Sequence, residues 1–405
     1  MRQMPTWVRA GNLLDGSGGP AKKDAVFAVR DGRFGPVQDG LPAEVRPQDV
    51  LDLSGCTVLP GLADCHAHLL WSGTRDREVR DRQMFPEKAQ GFATIEKNCE
   101  DFLRAGVLCV RDGGDPLRMV LDFLEERGCP PGLVVQSPGP ALHSPGRYGK
   151  IIGRPVAGDR LAWDILQNGR GRHHVKIVQS GLNSLTSFGK QSAHQYRLTD
   201  LRAAVGAARG RGLPVMAHAN GELPVAIAVE AGVASIEHGF FMGRENLRRM
   251  AEKGTVWVPT AVTMQGYAET LPQGDPRVAV ALKILENQVE AMAAAREMGV
   301  AMAVGTDAGS QGVFHGAGLC REMALFCRAG FSISQAVAAA TAAGARLMGF
   351  SDRGRIREGF RAGFVAVAGE PEGLLAALDT PHMVAAEGVV VFSAQGSGQD
   401  LFAEK

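Results

Sequence analysis

Between residues 57 and 306, short apolar runs alternate with segments of helical pattern. Eight runs have strand length: Thr57 to Leu62, Val107 to Arg111, Leu133 to Ser137, His174 to Gln179, Pro214 to His218, Ala234 to His238, Thr255 to Pro259 and Val300 to Thr306. The helices between them carry punctuation. Thr199 is the expected N-cap of a helix over Asp200 to Arg211 that Gly212 stops, and Ser332 or Ser334 opens an alanine-rich helix ending near Met348-Gly349. Strands alternating with helices signal a parallel α/β arrangement. Eight of them, with no Gly-x-Gly-x-x-Gly after the first, favour a (β/α)8 barrel over a doubly wound dinucleotide-binding sheet.

The chain ends read differently. Residues 1 to about 58 hold short strands and turns, among them Trp7 to Ala10 and Ala25 to Arg30, the latter closed by the hairpin signal Asp31-Gly32. Gly363 to Ala368 and Gly388 to Phe392 look alike at the other end. The expected organisation is a composite β-sandwich from residues 1–58 and 355–405, interrupted by a barrel over 59–354.

Composition narrows the partners. The 405 residues carry 44 Lys+Arg against 43 Asp+Glu, a formal net charge of +1, with no clustered basic stripe, so a nucleic-acid partner is not expected. Seven scattered cysteines without a Cys-x-x-Cys pair suit a reducing compartment. Met1 to Pro20 has no apolar signal-type core, and nowhere do about eighteen apolar residues run together. A cytoplasmic protein with no membrane partner, a small-molecule substrate and a homo-oligomeric state is expected.

The candidate chemistry lies at the strand ends. His66 and His68, two residues apart at the end of the first strand, point to one side and make half of a cation site. Further along, Lys176 lies within the fourth strand, His218 and His238 end the fifth and sixth, and Asp307 follows the eighth. Each has an ordinary reading alone: a satisfied core histidine, a turn aspartate, a lysine snorkelling to the rim. Together they do not, because barrel cores are filled by Val, Ile and Leu rather than by ionisable groups at several strand ends. Lys176 is the oddity, since an ammonium about 4 Å from a divalent cation is repelled by roughly 8 kcal/mol at an effective dielectric near 20. It either stays protonated in place of a metal or changes its charge, for example by carboxylation with CO2 to a bridging carbamate.

The set Pro60-Gly61-Leu62-x-Asp64-x-His66-x-His68, Lys176, His218, His238 and Thr306-Asp307, followed by Gly354-Arg355-Ile356-Arg357-Glu358-Gly359, resembles the amidohydrolase superfamily of metal-dependent hydrolases. The resemblance spans nearly the whole chain. It implies a distorted (β/α)8 TIM barrel with a small β-sandwich made from both chain ends. It implies two divalent cations, zinc by ligand type: the first on His66, His68 and Asp307, the second on His218 and His238, with carboxylated Lys176 bridging both. Asp64 would orient a ligand from behind. Within the superfamily, His174-Val175-Lys176-Ile177, Gly305 to Gly309 and His315-Gly316 look most like the prolidase-like and imidazolonepropionase-related branch, which includes dipeptidases and carboxypeptidases. The chain departs from that branch at Asn220, where an aromatic residue is expected.

The function so implied is hydrolysis of a C–N bond in a dipeptide or N-acyl amino acid by a metal-bridging hydroxide, with Asp307 moving the proton. Lys176 is catalytic through the bridge. Arg147, Tyr148, His143, Asn220 and His315 are the candidate substrate contacts. Trp71 and the charged run Thr74 to Arg82 read as part of a lid or, more simply, as a solvated helix face. Alternatives from the same residues are a lactonase, esterase or phosphotriesterase, a deaminase or cyclic amide hydrolase with a single metal, and a non-catalytic scaffold.

Overall fold

The computed structural model describes residues 2–4 and 6–394. Residues 395–405, expected to complete the terminal β unit, lie outside the described residues.

Strands from both ends pair into one eight-stranded sheet, ordered Arg2–Gln3, Val389–Ser393, Met383–Ala386, Gly363–Ala368, Val50–Pro60, Trp7–Leu13, Lys22–Arg30 and Arg33–Gln38. The Asp31-Gly32 turn closes its last hairpin with both residues at positive φ (50° and 69°), the geometry that a two-residue hairpin turn requires. Phe27 packs edge-on against Phe34 and Phe364, at 5.5 and 5.8 Å between ring centroids, so residues from both ends share one core.

The expected first barrel strand, Thr57 to Leu62, is divided between two sheets. Val50–Pro60 belongs to the terminal sheet, pairing with Gly363–Ala368, and the chain then breaks at Gly61 and starts Leu62–Ala67. Only glycine fits the break, because a Cβ there would lie 2.4 Å from Leu108 Cδ1.

Leu62–Ala67, Val107–Asp112 and Val134–Gln136 form a three-stranded parallel sheet. Gly153–Pro155, Ala141–His143, Val175–Val178, Val215–Ala219, Ser235–His238 and Val256–Val258 form a second parallel sheet, in that order. The short strands Ala141–His143 and Gly153–Pro155 lie in the Gly/Pro-rich stretch after the third expected strand, which had no strand assigned to it. The eighth expected strand, Val300 to Thr306, is not regular. It nonetheless bonds on both sides: Ala303 N–H donates to Trp257 O, and Cys65 N–H donates to Val304 O. Helices connect the strands as the pattern requires. One starts earlier than expected: Leu198–Gly210 has Arg197, not Thr199, at its N-cap, because the Asp200 carboxylate accepts the Arg197 N–H and pairs with its guanidinium. The helix from Ile333 is capped as read, with Ser332 and Gln335 bonding reciprocally. No helix among the described residues is long and apolar enough to cross a membrane.

The irregular segment presses tightly on the first strand. A Cβ at Gly305 would lie 2.4 Å from Val258 Cγ1 and 2.8 Å from the His66 nitrogen. Gly305→Ala should therefore destabilise by about 1–3 kcal/mol through overpacking. A denaturation midpoint unchanged from the parent would refute this close contact.

Candidate active site

The parallel strands deliver their C-terminal ends to one cavity of about 250 Å³, whose lining includes His66, His68, Lys176, His218, His238 and Asp307. All six residues singled out by the strand-end pattern thus meet in one place. His66 Nε2 and His68 Nε2 lie 3.4 and 3.2 Å from Asp307 Oδ1, and the ligand-type atoms of these three residues all fall within 4.8 Å of one another. Lys176 Nζ is 3.4 Å from His66 Nε2. The rings of His66 and His218 stand 4.9 and 4.5 Å from that of His238.

Each imidazole has one nitrogen tied and one free for the centre. His68 Nδ1 bonds Gly114 O at 3.0 Å, His238 Nδ1 bonds Thr260 Oγ1 at 2.7 Å, His66 Nδ1 bonds Glu237 Oε2 at 2.8 Å, and His218 Nε2 faces Gly181 O at 3.3 Å. Such fixed tautomers are what metal-ligating histidines need. Burial, reinforced by the Lys176 charge, pulls His66 down to about 4 and His218 to about 3, keeping both in the neutral, ligand-competent form. Burial also tends to raise Asp307, but the imidazoles of His68, His66 and His238 outweigh it and hold the carboxyl far below the usual range. The donor set therefore fits a divalent cation at His66, His68 and Asp307 in ligand type, protonation state and spacing.

Backbone geometry supports the side chains. His238, Thr260 and Asp307 sit at φ 68°, 48° and 57°, a left-handed conformation that non-glycine residues seldom adopt and that clusters at functional sites. It is held in place: Trp257 Nε1 and Gln288 Nε2 both donate to His238 O, and buried Glu322 accepts the N–H groups of Ala261 and Val262 just after Thr260. Asp64, expected to orient a ligand, works on the main chain. Its carboxylate accepts the N–H groups of His66 and Thr306 and the Thr306 hydroxyl, tying the first strand to the irregular eighth segment.

The ring of His66 is oriented instead by Glu237, which sequence reasoning did not single out. Glu237 is fully buried, with Oε1 2.7 Å from Arg111 Nη2, and it also accepts from the Ser235 hydroxyl. Burial would raise its carboxyl, yet Arg111 and His66 bring it down to about 2. The signal available in the sequence was a pair of opposite charges, Arg111 and Glu237, inside otherwise apolar strands. Glu237→Gln leaves Arg111 buried without its counter-charge, so we expect a loss of about 3–5 kcal/mol in stability and a roughly 10- to 100-fold weaker metal affinity. Thermal melts and metal titration check this; unchanged affinity would remove Glu237 from the site.

The expected substrate contacts divide. Tyr148 and Asn220 line the cavity, Tyr148 with its ring 5.5 Å from that of His218. Arg147 is exposed and donates to Ala193 O at 3.1 Å, outside the lining. His143 is buried away from the cavity, bonding Ser144 O. His315 lies behind His68, bonding its carbonyl at 3.2 Å and packing on Phe102. For His143 and Arg147 the reason is local: tight turns through Ser144–Arg147 and Gly149–Ile152 carry them away from the cavity. The run read as a solvated face is a helix, Arg77–Gln83, whose Arg80 and Gln83 join Trp71 and Met84 in the cavity wall while Arg77 and Arg82 remain exposed.

A model of the amidohydrolase family matches residues 57–392. Ochratoxinase from Aspergillus niger is 25% identical over 409 residues, spanning 90% of this chain and 82% of its own. Imidazolonepropionase from Paracoccus denitrificans is 27% identical over 371 residues, spanning 83% and 85%. The solved structure of a Xaa-Pro dipeptidase with methionine bound in its active site has a TM-score of 0.80 at 24% identity, covering 95% of this chain and 98% of that one, which is a likeness of fold.

Proposed function

Since this chain belongs to the amidohydrolase family and is a hydrolase acting on carbon–nitrogen bonds of small molecules, we propose that it cleaves an amide of the dipeptide or N-acyl amino acid class at a two-metal centre. The observation that carries the reading is the convergence of His66, His68, Lys176, His218, His238 and Asp307 on one cavity, each imidazole with one nitrogen tied and one free.

His66, His68 and Asp307 would hold one divalent cation, and His218 and His238 the other, zinc being the default for such ligands. When bound, the cations supply an activated water at neutral pH and a Lewis acid for the substrate carbonyl. The protein's own groups do the rest. Asp307 accepts the proton of the attacking water at Oδ2, the oxygen turned away from His66 and His68 toward the Ser310 hydroxyl at 2.9 Å, and delivers it to the leaving nitrogen. Burial brings Lys176 down to about 8, so near neutrality part of it is the free amine, whose nitrogen attacks the carbon of CO2 and gives up a proton to leave a carbamate anion. The apolar walls around Tyr148 and Phe240 exclude bulk water from the reacting centre.

Two features of architecture belong to the same proposal. The irregular segment 300–306, with hydrogen bonds to Trp257 on one side and to Cys65 and His66 on the other, closes the two parallel sheets into a distorted (β/α)8 barrel. The terminal sheet acts as a separate β unit whose strands come from Arg2 to Pro60 and from Gly363 to Ser393. Ochratoxinase and imidazolonepropionase, both similar to this chain, are enzymes named for small organic substrates, and this supports a small-molecule substrate. The test is a panel of dipeptides, N-acyl amino acids, cyclic amides, esters and lactones, run alongside a metal count per chain. Hydrolysis confined to esters and lactones, or a count of one metal, would overturn the reading.

A further inference from the structure

Besides Lys176, Arg80 is the one arginine or lysine lining the active-site cavity among the described residues. Its neighbours are neutralised locally: Arg77 pairs with Asp81, Arg82 with Glu78, and Arg75 with Glu269. Arg80 is half-buried and forms no ion pair with a described residue; its guanidinium donates to the Gly309 carbonyl at 3.2 Å. A half-buried guanidinium with most of its fork unengaged is an anion site in waiting, because partial burial costs hydration that only a counter-charge restores. Burial does act against this charge.

Its placement is fixed from two sides. Gln83 accepts hydrogen bonds from the Ser72 N–H and hydroxyl, which docks the helix on the end of the first strand. Gly309 lies two residues beyond Asp307, so the guanidinium is anchored beside the group that would protonate the leaving nitrogen. A carboxylate bound there belongs to the amine half of the amide. The remaining walls combine apolar or aromatic side chains such as Trp71, Met84, Leu182 and Phe240 with neutral polar ones such as Asn183 and Asn220, and supply no partner for a second charge.

We propose that Arg80 binds the free carboxylate next to the scissile amide, making the substrates N-acyl amino acids or dipeptides with an apolar or aromatic side chain and a free C-terminus. The inference rests on the C–N hydrolase reading above and deepens it.

The test compares release of benzoate from N-benzoyl-L-phenylalanine and from its carboxamide by the zinc-loaded enzyme, in the parent, Arg80→Ala and Arg80→Lys. Calorimetry of the unhydrolysable N-phenylsulfonyl-L-phenylalanine gives binding independently of turnover. A charge-assisted bond to the fork predicts a preference for the free acid of roughly 10- to 100-fold in kcat/KM. Arg80→Ala should abolish it through a KM rise on the free acid roughly 10- to 100-fold larger than any on the carboxamide, and weaken sulfonamide binding by that factor. Arg80→Lys should fall between. Equal cleavage of acid and carboxamide by the parent, or an equal loss on both in Arg80→Ala, overturns the anchor and leaves the hydrolytic reading standing. Cleavage of neither compound, with tight Arg80-dependent sulfonamide binding, overturns the hydrolytic reading for this substrate class and keeps the anchor.

Discussion

Asp307→Asn lowers kcat by ~10^2- to 10^4-fold, the usual contribution of a general acid–base group, while the fold survives. The two halves of this expectation have separate causes. Survival follows from backbone conformation: position 307 sits at φ 57°, where Asn is as well accommodated as Asp. It also follows from shape, because the amide is the same size as the carboxylate and its one oxygen can occupy either site, accepting from the Ser310 hydroxyl that lies 2.9 Å from Oδ2 or facing His66 and His68 in place of Oδ1. Loss of turnover follows because an amide cannot take up the proton of the attacking water. Steady-state kinetics, thermal melts and metal content on the same preparation separate the causes. Near-normal turnover with metal retained would refute the base assignment, and loss of metal would reassign Asp307 to ligation alone.

The second large effect is expected at Lys176. This side chain is buried, 3.4 Å from His66 Nε2, and sits among the rings that would hold both cations. As an ammonium it would repel each divalent cation by roughly 8 kcal/mol at about 4 Å and an effective dielectric near 20. As a carbamate it becomes an anion with two oxygens, and the sign of the interaction reverses. Lys176→Met should therefore lower bound metal from two ions per chain to one or none and reduce hydrolysis to near background. It should also abolish the melting-temperature increase that added zinc confers on the parent, since ligand binding stabilises only as far as the folded site retains affinity. A direct check is labelling with 13C-bicarbonate, which should give a carbamate carbon signal in the parent and none in the variant. Full reconstitution of the parent in CO2-free buffer would defeat the carbamate.

Much of the site was legible because its residues obey a local rule. His66 and His68 share a face by strand alternation, Lys176 is a charge inside an apolar run, and His218, His238 and Asp307 each stand at or just past the end of one. Nothing about those positions requires knowing what lies opposite. Glu237 and Arg111 were hidden for the converse reason. They are 126 positions apart, and neither is informative until the sheets bring them to 2.7 Å. The same holds for Arg80, on a helix so rich in charge that its pattern marks no inward face. Arg147 and His143 were singled out by residue type in a Gly/Pro-rich stretch, where turn geometry, not residue type, decides where side chains go, and His315 is held behind His68 by a hydrogen bond to its carbonyl and by Phe102.

Periodicity and residue type alone thus determined the α/β class and the six residues that meet at the cavity, because strand alternation and parallel strand–helix connectivity translate sequence position directly into side and end. Tertiary structure alone decided three other things. It broke the first strand at Gly61, where Leu108 leaves no room for a Cβ. It made the eighth strand an irregular segment pressed on His66 through Gly305. It also buried Glu237 against Arg111 behind His66 and set Arg80 in the cavity wall with no ion pair among the described residues. Burial and pairing are properties of neighbours far apart in the chain, and no local pattern encodes them.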